Sequence, residues 1–318
     1  MPHMITRPAN PLLGLLFMAL SGTATAEAPL LADIHTHYKW SQQEVTTPQQ
    51  VLERLRDNRV ALAVVIGTPA ETALEISALD PARILPVWSP YRIGGDWSRW
   101  AFDRTVPARA REALSTGHYH GIGELHFIGG FVPDWRSPVI SELIALGIEH
   151  DIPLLMHTEF SRNTYLLELC RAHPRLKILW AHAGAILSPA SVDEVMQACP
   201  NVRAELSARD PWRYINNPVT GDDGALLPEW QTLVERHSDR FLVGSDPVWP
   251  VEQLDSWDEP DTGWQEYARF IRFHREWLGR LPPDVAEKVR LLNAYTLFGK
   301  TPEDTITTDR DREGKHTP

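Results

Sequence analysis

Cysteine is scarce in this chain, and its scarcity excludes one class of fold. The 318 residues include only Cys170 and Cys199, too few for the disulfide framework that holds small secreted domains together. The two thiols can pair in an oxidising compartment or stay buried as free thiols, and the sequence leaves both alternatives open.

Basic residues are outnumbered and nowhere concentrated. Lys and Arg total 31 against 42 Asp and Glu, which gives a net charge of −11, and no Lys/Arg run or basic amphipathic helix is present. Nucleic-acid binding needs a basic footprint. We therefore expect a small-molecule substrate and no nucleic-acid partner, while a homo-oligomer stays open.

Long apolar runs are also missing, apart from one near the start. Residues 11–20 (PLLGLLFMAL) follow Arg7 and are too few to span a bilayer. Ala24 and Ala26 then form an A-x-A pattern, which is typical of a secretory signal peptide cleaved after Ala26. We predict that residues 1–26 are this signal peptide, the alternative being an uncut anchor. The mature protein would be exported, periplasmic or secreted, with no membrane contact.

The rest of the chain alternates apolar strands with helical segments. Near-continuous apolar runs predict parallel strands buried on both faces. The runs are 30–38, 61–68, 83–91, 121–127, 152–159, 177–184, 202–209 and 241–247. Between them, Thr47, Thr68, Ser137 and Ser188 each precede a proline, the pattern of a capping hydroxyl before the first residue of a helix.

Eight strands separated by helices predict a closed (β/α)8 TIM barrel. A doubly wound open sheet is the alternative, but it normally carries a Gly-rich phosphate loop after its first strand, and this chain has none there. We expect one barrel domain over residues 27–300. The polar residues 301–318 are predicted to form a disordered tail.

Polar side chains end several of these strands, where barrel enzymes carry their chemistry. The set is His35 and His37 on strand 1, Glu124 on strand 4, His157 on strand 5, His182 on strand 6 and Asp246 on strand 8. Each alone has a structural explanation, such as a turn at Asp246 or an ion pair at Glu124. Together they predict a site for a divalent metal, because buried ionisable groups are costly unless paired or metal-bound. Imidazole and carboxylate donors suit zinc, manganese, iron or nickel.

The remaining histidines are weaker candidates. His126 lies two residues after Glu124 in the same strand, so both side chains point to the same side. It could therefore face the mouth of the barrel, the end at which the strands finish, in a substrate-binding or supporting role, with a structural role as the alternative. We expect His150, His173, His237 and His274 to be exposed in helices or loops.

This constellation resembles the amidohydrolase superfamily of metal-dependent hydrolases, over about residues 30 to 300. The segment GIGELHF looks like the Glu-bearing strand of the TatD-type branch. ILWAHAG, VGSDP and NAYTLFG look like the amidohydrolase-related group that includes decarboxylases of the ACMSD type.

The resemblance implies roles for the polar set. His35, His37 and Asp246 would form one metal site, and Asp246 would also be catalytic, moving a proton from water to the leaving group. In a binuclear enzyme His157 and His182 would hold a second ion and Glu124 would bridge the two. In a mononuclear enzyme His157 would join the first site and His182 would be catalytic instead, so the metal count stays open.

Substrate specificity is predicted to come from the loops after the strands. The candidates are Tyr91, Arg92, Glu159, Arg209, Trp212 and Trp249. Arginines with aromatic residues suit a substrate with a carboxylate, phosphate or ring, although these arginines could instead pair with surface carboxylates.

The function that these features favour is metal-dependent hydrolysis of a small ester, lactone, amide or related bond. The alternative is a metal-dependent non-oxidative decarboxylase of an aromatic or unsaturated acid. A TatD-type nuclease is disfavoured by the acidic charge, and a non-catalytic exported barrel that only binds metal or ligand is disfavoured by the complete ligand set.

Overall fold

A computed structural model describes residues 27–127, 133–158, 162–213, 217–248, 259–303 and 305. The predicted signal peptide and most of the predicted tail lie outside the described residues. Within the described ranges, no helix is both long and apolar enough to cross a membrane.

All eight predicted strands are present and pair in parallel. They are β1 (Leu31–Lys39), β2 (Val60–Thr68), β3 (Ile84–Val87), β4 (Ile122–His126), β5 (Leu154–His157), β6 (Ile178–Trp180), β7 (Val202–Glu205) and β8 (Phe241–Leu242). Hydrogen bonds order them as one sheet of β1–β3 and one of β4–β8.

Backbone contacts join these two sheets at both edges. Trp88, just after β3, bridges in parallel to Ile122 of β4. At the other edge the Ile34 N–H of β1 donates to the Val243 carbonyl after β8 at 2.9 Å. The strands thus follow one another around a ring, and the predicted (β/α)8 barrel is confirmed.

Helices fill the intervals between strands. They are α1 (Trp40–Gln43), α2 (Pro48–Asp57), α3 (Thr72–Ser77), α4 (Val106–Ser115), α5 (Pro138–Glu149), α6 (Asn163–Ala172), α7 (Pro189–Ala198), α8 (Pro228–Arg236), α9 (Tyr267–Leu278), α10 (Pro283–Glu287) and α11 (Asn293–Phe298). A π-helical segment, Lys288–Leu292, joins α10 to α11.

Three of the four predicted helix starts are correct. Thr47 caps α2 by accepting a hydrogen bond from the Gln50 N–H at 3.2 Å, and Ser188 caps α7 in the same way from Ser191. Ser137 precedes α5 without a side-chain cap. The prediction at Thr68 was wrong: β2 runs on through Thr68, and α3 begins only at Thr72.

Alternate strand residues divide between two apolar clusters, as expected for strands buried on both faces. In β2, Leu62 and Val64 belong to one cluster, together with residues of α11, while Ala63 and Val65 belong to the other, which includes side chains of most of the surrounding helices. Every residue of β2 is buried, which explains its unbroken apolar sequence.

Several peripheral features differ from the sequence-based expectation or resolve it. His237 and His274 are buried, not exposed. Thr305 is buried and hydrogen-bonded to Tyr295, so packing continues past the predicted boundary at residue 300. Cys170 and Cys199 form a disulfide between the end of α6 and the residue that follows α7.

Candidate metal centre

The six polar residues predicted from the strand ends converge at one end of the barrel. β1 carries His35 and His37, β4 carries Glu124, and β5 ends at His157. His182 follows β6 in a 3₁₀ turn (Ala181–Gly184), and Asp246 follows β8. All are buried except His37, which is partly buried.

Glu124 lies at the centre of this cluster, and its two oxygens face different histidine pairs. Oε2 lies 3.1 Å from Nε2 of His37 and 3.4 Å from Nε2 of His35. Oε1 lies 2.7 Å from Nδ1 of His157 and 3.4 Å from Nε2 of His182. The imidazole nitrogens within the pairs are 3.1 Å apart for His35 and His37 and 3.3 Å apart for His157 and His182.

Donor spacing and chemistry fit a divalent metal at either pair. Among the described residues three groups each bring three donor atoms within 4.8 Å of one another. Two of them share Glu124: His35, His37 and Glu124, and Glu124, His157 and His182; the third joins His35, His182 and Glu205. Zinc with bonds of about 2.0–2.1 Å in a tetrahedral site separates its donors by about 3.3 Å. The observed separations within each group scatter around that value, and nitrogen and oxygen donors are the types that zinc accepts.

Glycine is required next to Glu124. Gly123 has φ +146, and a Cβ there would lie 2.5 Å from the Leu155 carbonyl oxygen. Only glycine tolerates this backbone conformation together with so close an approach of β5. The GIGE stretch thereby lets β4 place the Glu124 carboxylate between the two histidine pairs.

Asp246 closes the cluster on the β8 side. Its Oδ1 lies 3.5 Å from Nε2 of His37, while its Oδ2 accepts a hydrogen bond from Nη1 of Arg213 at 3.1 Å. Burial alone would raise the pKa of Asp246, but His35 and Arg213 outweigh it and hold the pKa at about 2. Asp246 is therefore ionised at neutral pH, with one oxygen fixed by Arg213 and the other facing the histidines.

Glu205, at the end of β7, is an element of the site that the sequence analysis missed. Its Oε1 lies 2.8 Å from Nδ1 of His35 and accepts the main-chain N–H of His182 at 2.8 Å. Burial opposes ionisation, yet contacts with His35 and His182 lower the pKa of Glu205 to about 2. An acidic residue inside the apolar run of strand 7 was the available signal, since a buried carboxylate needs partners.

Negative charge accumulates in this cluster. Burial raises the pKa of the Glu124 carboxyl, but His35 and His157 outweigh it and hold the pKa well below its usual range. Three ionised carboxylates, those of Glu124, Glu205 and Asp246, thus surround the imidazoles. Such a field favours a cation among them.

Arg209 holds the turn that contains His182. His182, Ala183 and Ala185 all have positive φ values, which are unusual for residues other than glycine. The buried Arg209 guanidinium donates to the carbonyls of His182 and Ala183 at 2.8 Å and reaches the Leu187 carbonyl at 3.3 Å. Because its donors are directed at main-chain carbonyls, Arg209 holds this turn in position, and its predicted role in substrate binding stays a prediction.

The other predicted substrate-binding residues lie in different environments. Tyr91 contacts the imidazole of His126. Arg92 is on the surface, where it pairs with Asp96 and Asp103. Trp212 is half-buried and packs edge-to-face on Phe273. Glu159 and Trp249 lie outside the described residues.

His126 is a further polar side chain at this end of the barrel. Its Nε2 lies 3.8 Å from Oε2 of Glu124, and its ring stacks on His157 with centroids 4.7 Å apart. The Tyr91 hydroxyl lies 2.7 Å from its Nδ1. Burial lowers the pKa of His126 to about 3, so the ring is neutral near pH 7.

The match to known proteins agrees with this arrangement. A sequence model described as amidohydrolase matches residues 32–300. The chain belongs to the amidohydrolase family. Amidohydrolases are hydrolases or related enzymes, and a divalent metal is their usual cofactor.

Two solved structures have a fold similar to that of this chain. An amidohydrolase of Burkholderia multivorans with bound zinc is 16% identical, with a TM-score of 0.52 over 86% of this chain and 100% of that one. An uncharacterised TIM-barrel protein of Bordetella bronchiseptica is 18% identical, with a TM-score of 0.50 over 78% of this chain and 81% of that one. At these identities the similarity establishes the fold alone. Among curated proteins, none matches the chain.

Proposed function

We propose that this amidohydrolase hydrolyses a small-molecule ester, lactone, amide or related carbonyl bond with two divalent ions bridged by Glu124. The observation that carries the proposal is the division of the Glu124 oxygens between two histidine pairs. His35, His37 and Asp246 would hold one ion and His157 and His182 the other. The zinc bound by the Burkholderia amidohydrolase supports zinc as the metal.

The bound ions would supply an acidified water and a polarised carbonyl. The protein's own contribution centres on Asp246. Arg213 donates a hydrogen bond to Oδ2 and so holds the ionised carboxylate beside the histidines, where it would accept the proton from the attacking water. The same carboxylate would then return the proton to the leaving oxygen or nitrogen.

Hydrolysis is favoured over decarboxylation by the positions of the arginines predicted to bind substrate. Arg209 is directed at main-chain carbonyls, and Arg92 pairs with surface carboxylates. Arg213, which follows Arg209 closely in sequence, is bound to Asp246. Within the described residues each of these three arginines is engaged by protein groups, which supports an uncharged carbonyl substrate over a carboxylate held by one of them.

We also propose that the protein is exported and that residues 1–26 are removed. The Cys170–Cys199 disulfide supports an oxidising compartment such as the periplasm or the extracellular space. The proposed partner is the small-molecule substrate.

Elemental analysis of the purified protein and of Glu124→Ala is the test of the metal arrangement. We expect about two metal equivalents in the wild type and about one or fewer in the variant. One equivalent that is unaffected by the substitution would contradict the bridge. It would transfer His182 to a catalytic role and favour decarboxylation.

A substrate screen then tests the reaction. The zinc-loaded protein is offered 4-nitrophenyl esters, lactones and anilides, and separately aromatic and unsaturated acids with carbon dioxide release as the readout. Turnover in the first group alone supports the proposal, whereas release of carbon dioxide alone would replace it by the decarboxylase.

A further inference from the structure

His126 is the most solvent-accessible imidazole of the metal centre. Its side chain is 22% exposed, against 13% for His37 and 10% for His157. It lies at the end of β4, two residues after Glu124, with its ring stacked on His157. A molecule that enters the mouth therefore meets His126 before it meets the buried ligands.

Tyr91 determines which nitrogen of His126 carries the proton. The Tyr91 hydroxyl accepts the main-chain N–H of His126 at 3.1 Å and lies 2.7 Å from its Nδ1. Tyr91 is buried, so its own proton needs an acceptor, and within the described ranges Nδ1 of His126 is the one in reach. The hydroxyl thus donates to Nδ1, and an imidazole that accepts at Nδ1 carries its proton on Nε2.

The Nε2–H donor is unpaired within the cluster. Its nearest described carboxylate oxygen, Oε2 of Glu124, lies 3.8 Å away, which is beyond hydrogen-bonding distance. That oxygen already lies 3.1 Å from Nε2 of His37. The donor therefore lies next to the two ligand groups, and a carbonyl bound beside them would be within its reach.

We propose that His126 is a further substrate-binding residue, which donates a hydrogen bond from Nε2–H to the substrate oxygen that gains negative charge during attack. Tyr91 is its positioning residue. The inference deepens the proposed hydrolysis and rests on it for the identity of the reaction. It assigns to His126 a ligand that is an acceptor only, a carbonyl oxygen or oxyanion, and not a metal ion, which would have to displace the Nε2 proton.

The tautomer is tested by ¹⁵N NMR of histidine-labelled protein, with the His126 signals assigned by their loss in His126→Gln. We expect a protonated Nε2 and an unprotonated Nδ1, both before and after zinc is added. Tyr91→Phe removes the hydroxyl donor and is expected to give a mixture of tautomers. A proton on Nδ1 in the wild type, or loss of the Nε2 proton on zinc loading, would overturn the proposal.

Binding is tested with methylphosphonate, a stable tetrahedral anion, titrated calorimetrically into the zinc-loaded protein. His126→Ala is expected to bind it about 10- to 100-fold more weakly, the range for a hydrogen bond to a charged group. His126→Gln, which keeps an N–H donor, should recover most of the affinity. His118→Gln, at an exposed histidine, is the matched control and should bind as the wild type does.

Equal affinity in His126→Ala and the wild type, or no binding to the wild type, would also overturn the proposal. Neither experiment needs turnover. A screen without hydrolysis therefore contradicts the proposed function alone, whereas hydrolysis with a wrong tautomer or unchanged affinity contradicts only the role of His126.

Discussion

Nδ1 of His35 lies 2.8 Å from Oε1 of Glu205, and both side chains are completely buried. Hydrogen-bond donation from Nδ1 to the carboxylate leaves the Nε2 lone pair directed at the metal centre. The same oxygen accepts the main-chain N–H of His182. One carboxylate therefore orients a predicted ligand from each histidine pair.

Glu205→Gln is expected to weaken zinc binding by about 10- to 100-fold, because without the carboxylate the tautomer of His35 is no longer fixed. Competition with a chromophoric chelator measures the affinity. Glu229→Gln, at an exposed glutamate in the first turn of α8, is the control and should not change it. Unchanged zinc affinity in Glu205→Gln would show that Glu205 has no part in positioning the ligands.

Asp246→Asn removes the proton acceptor while keeping the size of the side chain. We expect the protein to fold and kcat to fall by about 10²- to 10⁴-fold, the usual contribution of a positioned acid–base group. The measurement is turnover of the ester or lactone found in the screen, with circular dichroism to verify folding. Asp284→Asn on α10, at an exposed aspartate, should leave kcat unchanged. Near-normal turnover in Asp246→Asn would contradict the role of Asp246.

Substitutions of Arg209 and Arg92 compare a buried arginine that holds a turn with an arginine on the surface. Arg209→Gln removes the donors to the carbonyls of His182 and Ala183, each at about 1–3 kcal/mol, so we expect the free energy of unfolding to fall by roughly 2–6 kcal/mol in total. Arg92→Gln, at a side chain 60% exposed, should change it by less than about 0.5 kcal/mol. Urea denaturation compares the two, and equal effects would contradict the assignment of Arg209.

The barrel and its predicted ligands could be inferred from the sequence because both depend on strand order alone. Parallel strands buried on two faces give unbroken apolar runs, such as β2, and their carboxyl ends meet at one face. His35, Glu124 and His182 could thus be placed together without any knowledge of side-chain geometry.

The partners of these ligands could not be inferred in the same way. Arg209 was predicted to bind substrate because its contacts with the His182 turn could not be seen in the sequence. Those contacts depend on the positive φ values of His182 and Ala183, and neither position carries the glycine or asparagine that would predict such a conformation. Glu205 was overlooked because its role follows from contacts with His35 of β1 and with the main chain of His182 after β6, and the sequence of β7 does not reveal these partners. The position of a site in the fold can be predicted from the sequence, whereas the hydrogen-bond partners of its residues can be assigned only from the coordinates.

The Cys170–Cys199 disulfide connects two predictions, stability and export. It closes a loop between residues separated by 29 positions, and the loss of such a cross-link removes about 3–4 kcal/mol on the chain-entropy model. We expect the Cys170→Ser/Cys199→Ser double variant to show this decrease in urea denaturation. The wild type treated with dithiothreitol should match the double variant, because reduction opens the same loop. Two results together would contradict the disulfide: stability of the wild type that dithiothreitol does not change, and free thiols in the exported protein. They would also remove the support that the disulfide gives to an oxidising compartment.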